Sequence, residues 1–118
     1  MSDSLPVLIC DDEPRLTMLT AGLLEQHGVS TQVVYDGEAA LELASKRAFR
    51  MLLLDVNLGG MTALEVLHGL DAAGVELRVL LSSGYAAEDL PAELREHPRV
   101  AGFLAKPYPV ERLLSALQ

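Results

Sequence analysis

Met51-Leu52-Leu53-Leu54-Asp55-Val56-Asn57 is an unbroken apolar run that stops at one carboxylate. Followed by the turn pair Gly59-Gly60, it reads as a strand covered on both faces that surfaces at its C-terminal end. The expectation is an acid presented at the strand tip rather than buried. Working outward, Val7-Leu8-Ile9-Cys10 is a second such run and stops at Asp11-Asp12-Glu13. Met1 to Ser4 ahead of it is a short polar lead.

Between these runs, Leu16, Leu19, Leu23 and Leu24 recur at helical spacing from Pro14 to Gln26-His27-Gly28, where glycine supplies the stop. They predict the inner face of a first helix. Ser30 to Tyr35 alternates more weakly and suits a strand near the sheet edge. Asp36 is the expected cap of a second helix, with Leu41, Leu43 and Ala44 turned inward. Downstream, Thr62-Ala63-Leu64-Glu65 has the spacing of a capping box, and Gly74 ends the helix that it opens. Leu77 to Leu81 predicts a strand running into Ser82-Ser83-Gly84. Tyr85 to Glu88 reads as a loop, with Asp89 capping a helix whose first turn tolerates Pro91. Val100 to Ala105 is a fifth strand ending at Lys106-Pro107, and Pro109 to Leu117 is a last short helix.

Five alternations of strand and helix, with crossovers of a dozen residues or more, require parallel strands and right-handed connections. The expected architecture is an α/β three-layer sandwich around a doubly wound, five-stranded parallel sheet. Its most apolar strands, from Val7 and Met51, belong in the middle, and those from Ser30 and Val100 at the edges. This agrees with the flavodoxin-like order 2-1-3-4-5.

The 118 residues suit a single domain, 1–118. Half of them are hydrophobic but only 4% aromatic, so the core must come from Leu, Val and Ala. A formal net charge of −8 argues against direct nucleic-acid binding, which demands clustered Lys and Arg. The single Cys10 has no partner for an internal disulfide and reads as a small buried hydrophobe in a reducing, cytoplasmic setting. No stretch resembles a signal peptide or approaches the length of a membrane span. His27, His68 and His97 have no metal-ligand spacing and read as solvated.

In such sheets, ligands bind beyond the C-terminal strand ends where strand order reverses. The chain places Asp11 and Asp12, Asp55, Ser83 and Lys106 at those ends. Three clustered carboxylates repel one another unless a cation joins them, and an all-oxygen set suits Mg²⁺. Asp55 then has the makings of a nucleophile for a phosphoryl group. Lys106 and the Ser83 hydroxyl would take two of its oxygens, and Gly84 would leave room for its entry.

Four segments carry a resemblance over essentially the whole length: Ile9-Cys10-Asp11-Asp12-Glu13-Pro14, Leu54-Asp55-Val56-Asn57-Leu58, Leu81-Ser82-Ser83-Gly84-Tyr85 and Phe103-Leu104-Ala105-Lys106-Pro107. In these the chain resembles the receiver domain of two-component response regulators and hybrid histidine kinases. The resemblance implies that Asp55 is phosphorylated by a histidine of a kinase or phosphotransfer protein. It implies Mg²⁺ held by Asp12, Asp55 and the Asn57 backbone carbonyl, with Asp11 acting through water. Ser83 would move towards the phosphoryl group, Lys106 would pair with it, and Phe103 would be the aromatic switch. Lys106-Pro107 is often cis in the family. Asn57 and Tyr85 would flank the path of the hydrolytic water, and Tyr85 is expected to slow loss of the phosphoryl group.

The chain departs from the family pattern at Gly59, where Pro is usual, and at Ala63, where Gly is usual, so the loop after Asp55 is free to take another path. Thr62 replaces a frequent Asp, Ser83 a commoner Thr, and Phe103 cannot hydrogen-bond as a Tyr could. The motif style leans to the hybrid-kinase type. Self-phosphorylation and autodephosphorylation alone do not make the chain an enzyme. Three other readings stand beside the switch: a degenerate receiver acting as an interaction module, an aspartyl-phosphate phosphatase, and a flavin or nucleotide module. The second lacks an acid at Asn57, and the third would set phosphate against Asp11-Asp12-Glu13. Phosphorylation-linked homodimerisation through the last strand and helix stays open, with no exposed pattern in its favour.

Overall fold

The computed structural model describes residues 5–118, and the expected polar lead at residues 1–4 lies outside the described residues. Five strands, β1 (Val7–Cys10), β2 (Thr31–Val34), β3 (Met51–Asp55), β4 (Val79–Ser83) and β5 (Val100–Ala105), form one parallel sheet in the order β2-β1-β3-β4-β5. The helices are α1 (Pro14–Gln26), α2 (Gly37–Lys46), α3 (Ala63–Ala73), α4 (Ala92–Arg95) and α5 (Val110–Ala116). The expected fold class, strand order and edge strands are all found. No described helix is long and apolar enough to cross a membrane.

Side chains alternate across the sheet because a strand has a period of two. Leu8, Cys10, Leu52, Leu54, Val79 and Leu81 face one layer, where they meet Ala40 and Ala44 of α2 and Val66, Leu67 and Leu70 of α3. Val7, Ile9, Met51, Leu53 and Leu80 face the other, against Leu24 of α1 and Leu113 of α5. Cys10 is buried as expected, and burial pushes its thiol up to about 12.

Four sequence expectations need correction. The buried face of α1 is Thr17, Thr20, Ala21 and Leu24, while Leu16 and Leu19 are exposed. Burying Thr17 costs little, because its hydroxyl donates to the Pro14 carbonyl at 2.9 Å and lies 3.2 Å from that of Glu13. On α2 the innermost residues are Gly37, Ala40 and Ala44, with Leu41 and Leu43 packed on the flank. The fourth strand begins at Val79, since the buried Leu77 gives its carbonyl to Arg99 Nη1 (2.9 Å). Finally, Ala87–Asp89 is a 3₁₀ turn and Pro91 itself occupies the N-cap of the one-turn α4, so Asp89 caps nothing.

The capping box at Thr62 is present in full. The Glu65 amide donates to Thr62 Oγ1 (3.1 Å) and the Thr62 amide to Glu65 Oε1 (2.9 Å), which holds the Glu65 carboxyl below its ordinary range. Gly74 closes α3 with φ 68°, a left-handed geometry that favours glycine. Thr62→Ala is expected to lower unfolding free energy by about 1 kcal/mol in urea melts. An unchanged midpoint would deny the cap that role.

Candidate functional site

Four strand ends build the site. Asp11 follows β1 directly, Asp55 and Ser83 are the last residues of β3 and β4, and Lys106 is the first residue after β5. The alternation that turns Val7, Ile9, Leu53 and Leu104 towards α1 and α5 continues through Asp11, Asp55 and Lys106, so all three converge on one side. Lys106 is tied down by its own amide, which donates to the Ser83 carbonyl at 2.7 Å. Its Nζ lies 2.8 Å from Asp11 Oδ2 and 3.3 Å from Asp55 Oδ2. The Lys106-Pro107 bond is cis.

Asp55 is only 4% exposed, which corrects the expectation of an acid presented to solvent. The Lys106 side chain and the Asn57 turn close over it; the Asn57 amide donates to Asp55 Oδ1 at 3.1 Å. Burial pushes the Asp55 carboxyl above its ordinary range and the charge of Asp11 adds to this, while the Asn57 amide and Lys106 work against it. Burial also pulls the Lys106 ammonium down, but its hydrogen bond to Asp11 and the charges of Asp55 and Asp11 outweigh that, leaving it above the usual lysine value.

Asp11 is buried and has both oxygens engaged, Oδ1 by the Glu13 amide (3.0 Å) and Oδ2 by Lys106. Asp12 beside it is exposed. One carboxylate oxygen from each of Asp11, Asp12 and Asp55 lies within 4.8 Å of the others. This is a hard, all-oxygen donor set of the kind Mg²⁺ prefers, so the residues fit that ion.

Ser83 is fully buried, and its Oγ accepts from the Tyr85 amide at 2.9 Å. Tyr85 itself is 60% exposed and Gly84 is open to solvent. Phe103 packs partly buried along a cavity of about 290 Å³, which Leu81, Ala87 and Arg95 also line. In the loop after Asp55, Gly60 takes φ 72° and Leu58 and Met61 anchor on the core, so this path needs no proline.

Sequence reasoning missed two things. The amides of Glu13, Asn57 and Tyr85 orient the site side chains, and backbone donors leave no trace in residue identity. His97 is not simply solvated: its Nε2 lies 2.8 Å from Asp71 Oδ2 and its Nδ1 accepts from the Arg99 amide (3.1 Å). Arg99 in turn binds Asp71 and the Val75 and Leu77 carbonyls, pinning the start of β5 to the end of α3, far from the strand ends of the site.

The profile of the response regulator receiver domain matches residues 7–118. Sporulation initiation phosphotransferase F of Bacillus subtilis is 26% identical over 112 residues, covering 95% of this chain and 90% of that protein. Probable transcriptional regulatory protein TcrX of Mycobacterium tuberculosis is 33% identical over 116 residues, covering 95% of this chain, which spans only 47% of its length. A crystal structure of a response regulator protein from Burkholderia pseudomallei, solved with a phosphorylated aspartic acid, a calcium ion and citrate, is similar with a TM-score of 0.80. It is 28% identical, and the match covers 97% of this chain and 66% of that one. With its four strand ends and the match over residues 7–118, the chain belongs to the family of response regulator receiver domains.

Proposed function

We propose that the 118 residues act as one receiver whose Asp55 takes a phosphoryl group from a histidine of a kinase or phosphotransfer protein, in a Mg²⁺-dependent reaction. The observation that carries this is the contact of Lys106 Nζ with both Asp11 and Asp55 at the floor of a three-carboxylate cluster. The phosphorylated aspartic acid in the Burkholderia protein supports it.

One oxygen of Asp55 attacks phosphorus. The P–N bond to the donor imidazole breaks as the P–O bond forms, and the imidazole leaves with a proton taken up on nitrogen. Asp12, Asp55 and the Asn57 carbonyl would hold Mg²⁺, with Asp11 acting through water; the ion supplies positive charge to the phosphoryl oxygens. That Asp11 spends both oxygens on Lys106 and Glu13 suits the indirect role. Lys106 pairs with a second oxygen and the Ser83 hydroxyl with a third.

For Ser83 to turn towards the phosphoryl group it must give up the Tyr85 amide, which frees the segment after β4. Phe103 can follow into the adjoining cavity, altering the surface near β4, β5 and α5. The added charge thereby biases an equilibrium between two arrangements of this face. Each event is one turnover on the chain's own side chain, followed by hydrolysis.

The test is phosphorylation by phosphoramidate with Mg²⁺ and with EDTA. A product that forms equally fast in EDTA would refute the metal-dependent reading. Tyr85 follows Ser83 by two residues, its amide bonded to the Ser83 hydroxyl and its side chain exposed, so Tyr85→Ala is expected to shorten the phospho-Asp55 half-life by about two- to fivefold, through easier access of water. An unchanged half-life would remove Tyr85 from that role.

A further inference from the structure

The segment from Gly84 to His97 leads from β4 towards β5 and carries four carboxylates, Glu88, Asp89, Glu93 and Glu96, against one Arg or Lys, Arg95. Arg95 enters none of the ion pairs found among the described residues. Its Nε instead donates to the Leu90 carbonyl at 3.1 Å, reaching back across the single turn of α4. Leu94 beside it is buried in the core and anchors that turn. So held, Arg95 lines the cavity of about 290 Å³ that Phe103 lines too, and it is the only charged side chain there. The remaining side-chain walls, Leu81, Ala87 and Val100, are apolar. A cation with four carboxylates close in sequence is thus spent on a backbone carbonyl and on the wall of a cavity shared with an aromatic ring.

We propose, resting on the reading of Asp55 as phosphoryl acceptor, that Arg95 is a positioning residue for the switch: once Ser83 has turned to the phosphoryl group, Phe103 swings into the cavity and the Arg95 guanidinium takes its ring face. A phenylalanine ring has no hydroxyl to bond, so its electron-rich face is the only polar handle it offers. A guanidinium lies flat on such a face and, being weakly hydrated, gives up little water to do so. The apolar walls receive the ring but exert no comparable pull on its face. As the structure stands, the one ring contact among the described residues is that of His68 with His97, so Arg95 and Phe103 share the cavity without stacking. The contact therefore forms in only one of the two arrangements, which is the condition for it to shift their balance.

The chain has two phenylalanines, so phenylalanine labelled at the ring Cζ gives two NMR signals, that of Phe103 and that of the buried Phe49 as a reference. The labelled full chain is phosphorylated by phosphoramidate with Mg²⁺, and intact mass of the same sample measures the extent. In wild type, phosphorylation is expected to move the Phe103 signal and to leave that of Phe49 in place. Arg95→Gln is expected to gain the same mass and to match wild type before phosphorylation. After it, the ratio of inward to outward Phe103 is expected to be about two- to fivefold lower than in wild type. Arg95→Lys, which keeps the charge, is expected to recover part of that loss; circular dichroism checks that both variants are folded. An Arg95→Gln chain whose Phe103 signal follows wild type at equal mass gain overturns the role of Arg95 and leaves the acceptor reading standing. An Arg95→Lys chain that behaves as Arg95→Gln does overturns the role of the charge. A wild-type chain that gains no mass overturns the acceptor reading and this proposal with it.

Discussion

Replacing Lys106 by Met is expected to slow phosphorylation of Asp55 by a small phosphodonor about a hundredfold or more, with the fold retained. Methionine keeps an unbranched apolar stem of similar reach and removes only the charge. The ammonium is already held 2.8 Å from Asp11 and 3.3 Å from Asp55, where negative charge gathers during transfer, so little reorganisation is needed at the moment of reaction. The same change leaves two buried carboxylates without their cation. Lys106 sits above the usual lysine value, so its stabilising contribution is complete at neutral pH and is lost only as pH rises through that raised value. Unfolding free energy at pH 7 is therefore expected to fall by about 2–3 kcal/mol, less than for a fully enclosed pair because the side chain is 20% exposed. Urea melts and the initial rate of mass gain separate the two effects. A rate close to wild type would take Lys106 out of the transfer step.

Asp55→Asn is expected to end phosphorylation and, with no metal present, to make the protein more stable. Burial and the nearby Asp11 raise the Asp55 carboxyl, so the folded state binds its proton more readily than the unfolded chain does. A group with a raised folded value adds stability below its ordinary range and loses it as pH climbs through the raised value. At pH 7 the chain stands on the unfavourable side of that window. The amide cannot ionise, so Asp55→Asn removes the penalty and is expected to raise the melting temperature in EDTA. The gain should shrink as pH falls towards the ordinary carboxylate range, because the wild type recovers there by protonation. Mg²⁺ should raise the melting temperature of wild type more than that of the variant. A variant that melts below wild type in EDTA would contradict the electrostatic account of the cluster.

The site was legible because its residues terminate apolar runs. Each apolar strand run stops at or just before Asp11, Asp55, Ser83 or Lys106, and parallel strands bring all such stops to one edge. Even the shared side was implicit, since Asp55 follows Leu53 and Lys106 follows Leu104 by two residues. What could not be read was depth: a strand-end acid looks exposed until the side chain that closes over it, here Lys106 from 51 residues further on, is in place. The inner face of α1 was misjudged for a related reason. Leu16, Leu19 and Leu23 make one helical stripe and Thr17, Ala21 and Leu24 another, and hydropathy alone prefers the first. The sheet takes the second, because the Thr17 hydroxyl finds partners within its own helix. Leu77 misled in the opposite direction: it is buried like a strand residue, yet its carbonyl is claimed by a distant arginine side chain rather than by the β-ladder.

The central claim is that Asp55 is the acceptor, and intact mass of the chain after incubation with phosphoramidate and Mg²⁺ tests it most directly. The account predicts a gain of one phosphoryl group in wild type and none in Asp55→Ala. No gain in wild type, or a gain that persists in Asp55→Ala, would contradict it.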